Sequence, residues 1–267
     1  MKSKTYESLP YVDFYVHDPK RRHIHKANIR DRILHQAVFR ILYPIFDKGF
    51  IFDSYSCRIN KGTHAAVNRL EGFLVKASKN NRKKVFILKC DVSKFFDSVN
   101  HEILKNLIKQ KVQDPDSLWL VWEIIDSFKK SPGCGIPLGN VTSQLFANIY
   151  LNELDQFIKK DLRIKYYVRY CDDFVILSNN KEDFPKIINQ ISEFIEFGLK
   201  LKLHPDKVFI RSYLEGIDFL GYVLRPHHRL LRTKTKRRML KKINENNKSS
   251  YLGILQHCNG YKILKNL

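Results

Sequence analysis

Apolar residues recur at helical spacing along several stretches of the chain. Residues 29–42 carry an apolar side chain every three or four positions, and residues 63–77 repeat the pattern. This spacing places the apolar side chains on one face of a helix. Asn100 stands just before another such stretch, where its side chain is suited to cap the first turn. Further helices are predicted over about 116–129, from 143 onward, over 183–199 and through most of the last forty residues.

Short runs of strand-forming residues alternate with these helices. The run VFILKC at 85–90 is mostly apolar and rich in strand formers, which is typical of a buried strand. The runs YYVRY and FVIL, at 166–170 and 174–177, flank a tight turn and predict an antiparallel hairpin. Two more strands are predicted near 207–211 and 217–224, and a loop rich in Gly and Pro at 131–139. The pattern therefore predicts an α+β fold around a small antiparallel sheet.

The composition is that of a globular protein rather than a disordered tail. The chain has 267 residues, of which 43% are hydrophobic, and it contains 18 Phe and 13 Tyr. It has no apolar run of about 18 residues and no signal-peptide core, so we expect a cytoplasmic protein without a membrane partner. The five cysteines are scattered without a C-x-x-C pair, so reduced thiols are expected.

The net charge of the chain indicates which class of partner it binds. Lys and Arg number 48 against 27 Asp and Glu, which gives a formal net charge of +21. An excess of this size favours a polyanion such as nucleic acid. The alternative is a basic surface that serves only solubility.

Carboxylates stand at two predicted strand ends. Asp91 closes the strand 85–90, and Asp172 and Asp173 form the turn of the hairpin. If these strands are neighbours, three carboxylates meet at one rim of the sheet and repel one another unless a cation is present. Mg²⁺ commonly takes one or two carboxylates plus substrate phosphates, and paired metals serve phosphoryl transfer. The alternative for the two adjacent aspartates is a solvated turn.

The motifs around these aspartates resemble those of reverse transcriptases. YCDD at 170–173 is similar to the family's Y-x-D-D motif, and DVSKFFDSV at 91–99 to the motif with the first catalytic aspartate. GIPLGNVTSQLFANIYL at 135–151 resembles the template and nucleotide loop with its following helix. LKLHPDK at 201–207 and FLGYVL at 219–224 resemble two later motifs, the second being the primer grip.

The resemblance implies a right-hand polymerase with fingers, an antiparallel-sheet palm and a short helical thumb. The fingers would cover 1–84, the palm 85–224 and the thumb 225–267, with about 112–135 packing against the fingers. Two Mg²⁺ ions, for which Mn²⁺ can substitute, would support addition of deoxynucleotides (dNTPs) to a primer. The expected partners are a template RNA and the RNA/cDNA hybrid.

Catalytic roles are carried over residue by residue. Asp91 and Asp172 would ligate both metals, Asp173 would support the site less directly, and the Val92 carbonyl would add a ligand. The nucleotide-binding set is Arg22, Arg30, Phe96, Leu138, Gly139, Gln144 and Lys207, with Lys20 as a further cation. For Phe96 the alternative is a core aromatic, and for the arginines it is a general backbone-binding patch. Lys207 is the candidate proton donor to pyrophosphate, or a solvated lysine.

Two further groups would hold the nucleic acid. The predicted primer grip is Phe219, Leu220 and Gly221. The cation-rich stretch 232–248 has helical spacing and would follow the duplex backbone without reading its sequence. Its backbone-binding residues are predicted to be Lys234, Lys236, Arg237, Arg238 and Lys241.

Finer details resemble one subgroup, the reverse transcriptases of diversity-generating retroelements. They are the run GNVTSQ at 139–144, RDRILHQAV at 30–38, FDSYSCRINKGTH at 52–64 and the closing SYLGILQHCNGYKILKNL. That subgroup makes error-prone cDNA from a template-repeat RNA, with a small basic accessory protein, in bacterial, archaeal or phage-infected cells. Leu138 stands where many relatives carry Gln, so low fidelity is expected, although Leu138 could also serve only packing.

Two other interpretations stay open. The chain could be another bacterial reverse transcriptase, intron-derived or used in phage defence, or an inactive palm that serves as an RNA-binding scaffold. The sequence starts close to the fingers motif, so we expect either a compact enzyme or a truncated chain, and no endonuclease region or RNase H domain is expected. The template, target gene, priming mechanism and oligomeric state are not encoded in a recognisable pattern.

Overall fold

The computed structural model describes residues 4–17 and 21–265, with the side chain of residue 262 left aside. Lys20, one of the predicted triphosphate cations, lies outside the described residues. The strands are β1 (Val12–Val16), β2 (Arg22–Lys26), β3 (Phe86–Asp91), β4 (Tyr167–Tyr170), β5 (Asp173–Ser178), β6 (Phe209–Ser212), β7 (Ile217–Phe219), β8 (Tyr222–Arg225) and β9 (His228–Leu231).

Helices surround these strands. They are α1 (Ile29–Asp47), α2 (Thr63–Ala77), α3 (Phe95–Ser98), α4 (His101–Lys109), α5 (Pro115–Asp126), α6 (Val141–Gln156), α7 (Asp183–Glu193), α8 (Thr233–Lys242), α9 (Lys248–Leu255) and α10 (Tyr261–Leu264). Helices α6 and α7 each continue into a π-helical turn, at Phe157–Asp161 and Phe194–Gly198. No helix among the described residues is long and apolar enough to cross a membrane.

The strands form three antiparallel sheets. The central sheet has the order β4-β5-β3-β6, a hairpin joins β1 to β2, and a third sheet has the order β7-β8-β9. In the central sheet Asp91 at the end of β3 lies opposite Asp173 at the start of β5. The predicted antiparallel sheet of an α+β fold is therefore present, and its register brings the two acidic strand ends together.

The central sheet separates two hydrophobic cores. Leu88 and Phe174 point into a core shared with α1 and α4 to α7, whereas Ile87 and Val175 point into a second core. Alternate strand residues face opposite sides of a sheet, which accounts for this division. The second core contains residues of α2, the β7-β8-β9 sheet, α8 and α9. The carboxylates at the rim are thus fixed by a sheet packed on both faces.

Most predicted elements are present, with two corrections. The stretch 217–224 is two strands and not one, because Leu220 and Gly221 both have positive φ and form a two-residue hairpin turn. The β1–β2 hairpin was missed, because its many cations and histidines hide the alternation of a strand. Asn100 caps α4 as predicted, since its side chain accepts a hydrogen bond of 3.1 Å from Ile103 N.

Contacts in the structure join segments that the predicted lobe boundaries separate. Strand β9 lies beyond residue 224, yet it pairs with β8 of the predicted palm. The stretch near 112–135 contacts the residue just before β1. The Tyr11 hydroxyl lies 2.8 Å from Ser127 Oγ, and the Tyr11 ring meets Phe128 edge-on. The division into fingers, palm and thumb stays a prediction for this chain.

Candidate active site

Three carboxylates lie at one rim of the central sheet. Asp91 and Asp173 are directly opposite in the β3–β5 ladder, and directly opposite residues have Cβ atoms about 4.5–5.5 Å apart. Asp172 precedes Asp173 in the turn, and its carbonyl accepts a hydrogen bond of 3.2 Å from Val92 N. The structure therefore brings together Asp91, Val92, Asp172 and Asp173, as the sequence predicted.

The turn at 171–173, here called the catalytic turn, has an unusual backbone. Cys171 has a φ of 56°, in the left-handed region that few non-glycine residues adopt. The carbonyl of Cys171 accepts a hydrogen bond of 3.0 Å from Arg169 Nη1. This bond gives the Cys171 carbonyl a hydrogen-bond partner and connects the catalytic turn to Arg169.

Arg169 itself belongs to a buried ionic network. Both Arg169 and Asp155 are at most 1% exposed, and the guanidinium donates two hydrogen bonds to the carboxylate, at 2.7 and 2.6 Å. The Tyr167 hydroxyl donates to the same carboxylate at 2.7 Å, and Arg169 Nη1 lies 3.3 Å from Asn148 Oδ1. Burial of a charge is tolerated only when it is paired in this manner.

The ionised forms of the two carboxyl groups in the catalytic turn are disfavoured by their surroundings. Desolvation raises the pKa of Asp172, and the nearby Asp91 raises that pKa further. Desolvation also raises the pKa of Asp173, while Lys89 opposes the increase. Because burial and the neighbouring carboxylates disfavour the ionised forms, a bound cation would stabilise them.

Two lysines supply positive charge to this rim. Lys207 Nζ lies 2.6 Å from Asp91 Oδ1, so the structure brings this predicted residue directly to the site. Lys89 Nζ lies 3.3 Å from Asp173 Oδ2 and was not singled out from the sequence. Asp91 and Asp173 therefore each have their own cationic partner.

The donor set is compatible with hard divalent cations. Carboxylate and main-chain oxygens are the ligands that Mg²⁺ prefers, and its sites usually include substrate phosphates. Among the described residues, no three His, Cys, Asp or Glu side chains are grouped closely enough to hold a metal by themselves. The carboxylates are therefore compatible with a metal site that a nucleotide completes, and the roles of Asp91 and Asp172 as its protein ligands stay predictions.

The loop 135–140 is fixed to strand β2. Leu138 O accepts a hydrogen bond of 2.9 Å from His25 N. The buried Asn140 side chain accepts from Ala27 N at 3.1 Å and donates to His25 O at 2.8 Å. Gly139 has a φ of 117°, and a Cβ there would lie 2.8 Å from Ile24 Cγ2. One close approach that requires glycine here is thus to β2, and the predicted approach of Gly139 to the nascent base pair stays a prediction.

The other predicted nucleotide-binding residues occupy different positions. Arg22 is exposed on β2, and Gln144 is exposed in the first turn of α6. Arg30 is engaged by the Glu7 carbonyl and by Asp31, so a bound phosphate would have to replace these partners. Phe96 is half-buried beside the core, with its ring 5.4 Å from that of Phe95. The nucleotide-binding roles of these four residues stay predictions.

The predicted primer grip is the hairpin of β7 and β8, here called the grip hairpin. Phe219 is fully buried in the second core, so its side chain cannot contact a primer as predicted. Leu220 and Gly221 form the half-exposed turn and remain the candidates for contact. The correction follows from strand alternation, which turns Phe219 inward next to the turn.

The predicted backbone-binding cations lie on α8. Lys234, Lys236, Arg237 and Lys241 are exposed, whereas Arg238 is half-buried. Met239 on the opposite face is fully buried in the second core. Helix α8 therefore presents a basic face to solvent while its apolar face anchors it.

Sequence reasoning missed three residues that position the site: Lys89, Asn140 and Arg169. A charged residue inside a predicted strand, two places before Asp91, was the available signal for Lys89. A cation two places before the catalytic turn was the signal for Arg169. Their partners, however, are distant in sequence.

With this geometry described, comparison with known proteins identifies the family. Residues 17–224 match the family described as reverse transcriptase (RNA-dependent DNA polymerase), which covers well over half of the chain. The chain belongs to the reverse transcriptase family. It is accordingly an RNA-directed DNA polymerase by family, as the motifs predicted.

The curated proteins that this chain resembles include a group II intron-encoded protein. Protein YkfC of Escherichia coli is 27% identical over 86% of this chain and 69% of its own length. The group II intron-encoded protein LtrA of Lactococcus lactis is 24% identical, over 84% of this chain and 48% of its own length. The chain thus spans about half the length of LtrA.

Solved structures confirm the predicted fold. An apo telomerase from Candida tropicalis, truncated from its C-terminal domain, matches with a TM-score of 0.61 at 17% identity, over 83% of this chain and 55% of that one. A telomerase from Candida albicans in complex with a fragment of telomeric RNA matches with a TM-score of 0.62 at 14% identity, over 88% and 47%. The reverse transcriptase described here therefore has the right-hand polymerase fold.

Proposed function

We propose that this reverse transcriptase makes error-prone cDNA from a template-repeat RNA, for targeted diversification of a gene. The observation that carries the catalytic part is the meeting of Asp91 with the catalytic turn at one rim of the palm sheet. Each carboxylate there is desolvated or paired with a lysine, so the rim is prepared for a charged substrate.

The chain's own residues define the steps of nucleotidyl transfer. Asp91 and Asp172 would hold two divalent cations, with the Val92 carbonyl as a further ligand. Bound Mg²⁺ or Mn²⁺ would supply Lewis acidity toward the primer hydroxyl and toward the departing pyrophosphate. Lys207 Nζ, 2.6 Å from Asp91, is placed to transfer a proton to that leaving group.

Nucleotide selection rests on two side chains. Phe96 follows Asp91 closely in the chain and lies half-buried at the edge of the core, where it excludes a ribose 2′-hydroxyl. Leu138 is half-buried in the 135–140 loop and offers no side-chain hydrogen bond. One missing hydrogen bond of roughly 0.5–1.5 kcal/mol lowers discrimination about 2–12-fold.

The diversity-generating subtype rests on sequence motifs, chiefly GNVTSQ at 139–144 and the closing segment. Synthesis of the cDNA would take place in the cytoplasm of a bacterial, archaeal or phage-infected cell, with a small basic accessory protein. The intron-type relatives favour a second candidate, an intron-derived reverse transcriptase. A neighbouring pair of template and variable repeats with a small accessory gene supports the first candidate, and an enclosing intron RNA supports the second.

Primer extension tests the catalytic assignment. Wild type and Asp172→Ala are incubated with a primed RNA template, dNTPs and Mg²⁺, and extension is expected from wild type alone. Lys105→Met, which removes a lysine ion pair on α4 remote from the site, is the matched control. Tight RNA binding without extension by wild type would instead favour the inactive scaffold.

Sequencing of the cDNA tests the error-prone assignment. Wild type is expected to misincorporate mainly opposite template adenines, and Leu138→Gln to reduce those errors about 2–12-fold. The main chain at 138 is fixed by the His25 N–H, so the substitution changes the side chain alone. An unchanged error rate in Leu138→Gln would refute this explanation of low fidelity.

A further inference from the structure

Lys89 lies between the catalytic turn and the grip hairpin. Its side chain is 12% exposed, and its Nζ is 3.3 Å from Asp173 Oδ2. The same Nζ donates a hydrogen bond of 3.2 Å to the main-chain carbonyl of Asp218, in β7. One ammonium group therefore contacts both the catalytic carboxylate and the backbone beside the Leu220–Gly221 turn.

The chain of contacts continues to the start of the predicted thumb. The Asp218 carboxylate pairs with Arg232, the residue immediately before α8. Arg232 N also donates to Gly221 O at 2.9 Å. Asp173, Lys89, Asp218 and Arg232 thus form a continuous path from the metal-binding rim, across the grip hairpin, to the basic helix.

This path matters because backbone pairing does not join the two sheets. In the part of the chain that the structure describes, β7, β8 and β9 pair only with one another and not with the central sheet. The separation between the grip hairpin and the carboxylates therefore depends on the short link 213–216 between β6 and β7 and on side-chain contacts. Lys89 supplies one such contact, because its stem rises from β3 and its head reaches β7.

Neutralising a buried carboxylate does not fully explain these contacts. Asp91, two residues along the same strand, has Lys207 as its partner. Lys89 instead reaches across to Asp173, and its second bond is to a neutral carbonyl. A lysine needed only for charge balance does not require that bond, which fixes the backbone of the grip hairpin.

We propose that Lys89 is a positioning residue that aligns the primer terminus with the catalytic carboxylates, by tying Asp173 to the grip hairpin. This inference rests on the proposed polymerase function. The second aspartate of the catalytic turn then acts through Lys89 as an anchor, while Asp91 and Asp172 serve the metals. The ligand concerned is the 3′ end of a DNA primer paired with RNA.

The experiment compares wild type with Lys89→Met, which keeps the apolar stem and removes both polar contacts. Binding of a DNA primer annealed to an RNA template is measured by fluorescence anisotropy in EDTA, so that metal and turnover play no part. A 2-aminopurine at the primer terminus reports its stacking. Lys89→Met is expected to weaken binding about 10-fold and to change the terminus signal, because both polar contacts that tie the grip hairpin to Asp173 are lost.

Steady-state extension supplies a readout that loss of stability alone would not move. The KM for primer–template is expected to rise in Lys89→Met while the KM for dNTP stays unchanged. Lys89→Arg, which keeps a donor to both partners, is expected to recover part of the loss. Lys105→Met serves as the matched control, because Lys105 is 17% exposed and pairs with Asp126 at 2.7 Å away from the site.

Each outcome decides the matter. Lys89→Met with wild-type binding and terminus signal would overturn the inference, as would an equal rise in both KM values. If Lys89→Met does not fold, Lys89→Gln and Asp173→Asn are measured in the same binding assay, and both must show the primer defect. Wild type that binds primer–template without extending it would refute the proposed polymerase function, whereas normal extension by Lys89→Met would refute this inference alone.

Discussion

At the scale of single residues, burial works against the charge of Asp172. Its pKa is raised by desolvation and by Asp91, so the folded protein binds a proton at this carboxyl more tightly than the unfolded chain does. Its ionised form therefore lowers stability at neutral pH when no cation is bound. This cost of a prepared metal site leads to a stability prediction.

Asp172→Asn is expected to unfold at a higher temperature than wild type in EDTA at pH 7.5, while losing primer extension. A gain on the order of 1 kcal/mol would raise the Tm by about 2–4 °C in a chain of this size. The gain should disappear at pH values below the carboxyl pKa of the unfolded chain, about 3.9, because both side chains are then neutral.

Calorimetry across pH, with and without Mg²⁺, checks this expectation. Added Mg²⁺ should stabilise wild type and leave Asp172→Asn nearly unchanged, since only a native-state ligand raises Tm. Asp161→Asn, which changes an exposed carboxylate outside the site, is the control. A lower Tm for Asp172→Asn at neutral pH would contradict the electrostatic account.

At the scale of elements, the 135–140 loop and strand β2 behave as one unit. The Asn140 side chain takes the place of a peptide group, pairing with one N–H and one carbonyl of the β2 end. Asn140→Ala leaves the buried Ala27 N–H without a partner, at a cost of about 1–3 kcal/mol. The loop that carries Leu138 should then loosen and raise the KM for dNTP.

Denaturant unfolding and dNTP titration test this prediction together. Asn140→Asp keeps the acceptor for Ala27 but sets an unpaired carboxylate against the His25 carbonyl, so at neutral pH it should destabilise the protein at least as much as Asn140→Ala. The binding constant for primer–template should not change, in contrast to Lys89→Met. A normal KM for dNTP in Asn140→Ala would show that the loop does not contribute to nucleotide binding.

The ionic network beneath the catalytic turn allows stability and activity to be separated. Arg169→Met alone leaves the Asp155 charge buried and unpaired, and should cost about 3–5 kcal/mol. Replacing the set by Arg169→Met, Asp155→Leu and Tyr167→Phe removes every charge and should recover most of that loss. Extension should stay impaired, because the Cys171 carbonyl no longer has its donor.

Thermal unfolding and single-turnover extension of the single and triple variants decide this point. The matched control is Tyr167→Phe alone, which removes one hydrogen bond to Asp155 and leaves Arg169 in place. Full activity in the triple variant would mean that the turn does not depend on Arg169.

Local pattern and long-range contact account for what the sequence could and could not predict. Asp91 and the catalytic turn were predictable, because strand ends and motif spacing are local features. Lys89, Asn140 and Arg169 were not, because their partners lie 129, 115 and 14 residues away and only the fold brings them together. The burial of Phe219 was not predicted, because it follows from the inward facing of Ile217 and Phe219 in β7, and the boundary between β7 and β8 was not recognised in the sequence.

At the scale of the whole molecule, part of the net positive charge of +21 lies on one surface, the exposed face of α8. The exposed cations of α8 lie beside the grip hairpin, through which the path from the catalytic turn runs. Binding that neutralises phosphates releases counterions, so affinity falls linearly with salt on logarithmic axes. The slope of that line counts the contacts.

Combined substitution of Lys234, Arg237 and Lys241 by Gln is expected to reduce this slope by about 2–3, at roughly 0.7–0.9 per lost phosphate contact. The three residues share one face of α8. Anisotropy titrations between low and moderate salt measure the slope. Substituting the exposed Lys109, Lys181 and Lys186 instead keeps the net charge equal and should leave the slope near wild type, and equal slopes for the two triple variants would contradict the placement of the duplex along α8.

The contacts around Arg169 also bear on how the chain is assembled. Main-chain groups of Asp53 and Tyr55 bond Arg169 at 3.0 and 2.9 Å, and Asn148 donates to Ser56 O at 2.9 Å across 92 residues. During synthesis on the ribosome, the segment 53–56 must therefore wait for α6 and β4 to emerge before its polar groups are satisfied. The segment 53–56 thus reaches these native contacts only after the chain through Arg169 has been made, shortly before the catalytic turn itself emerges.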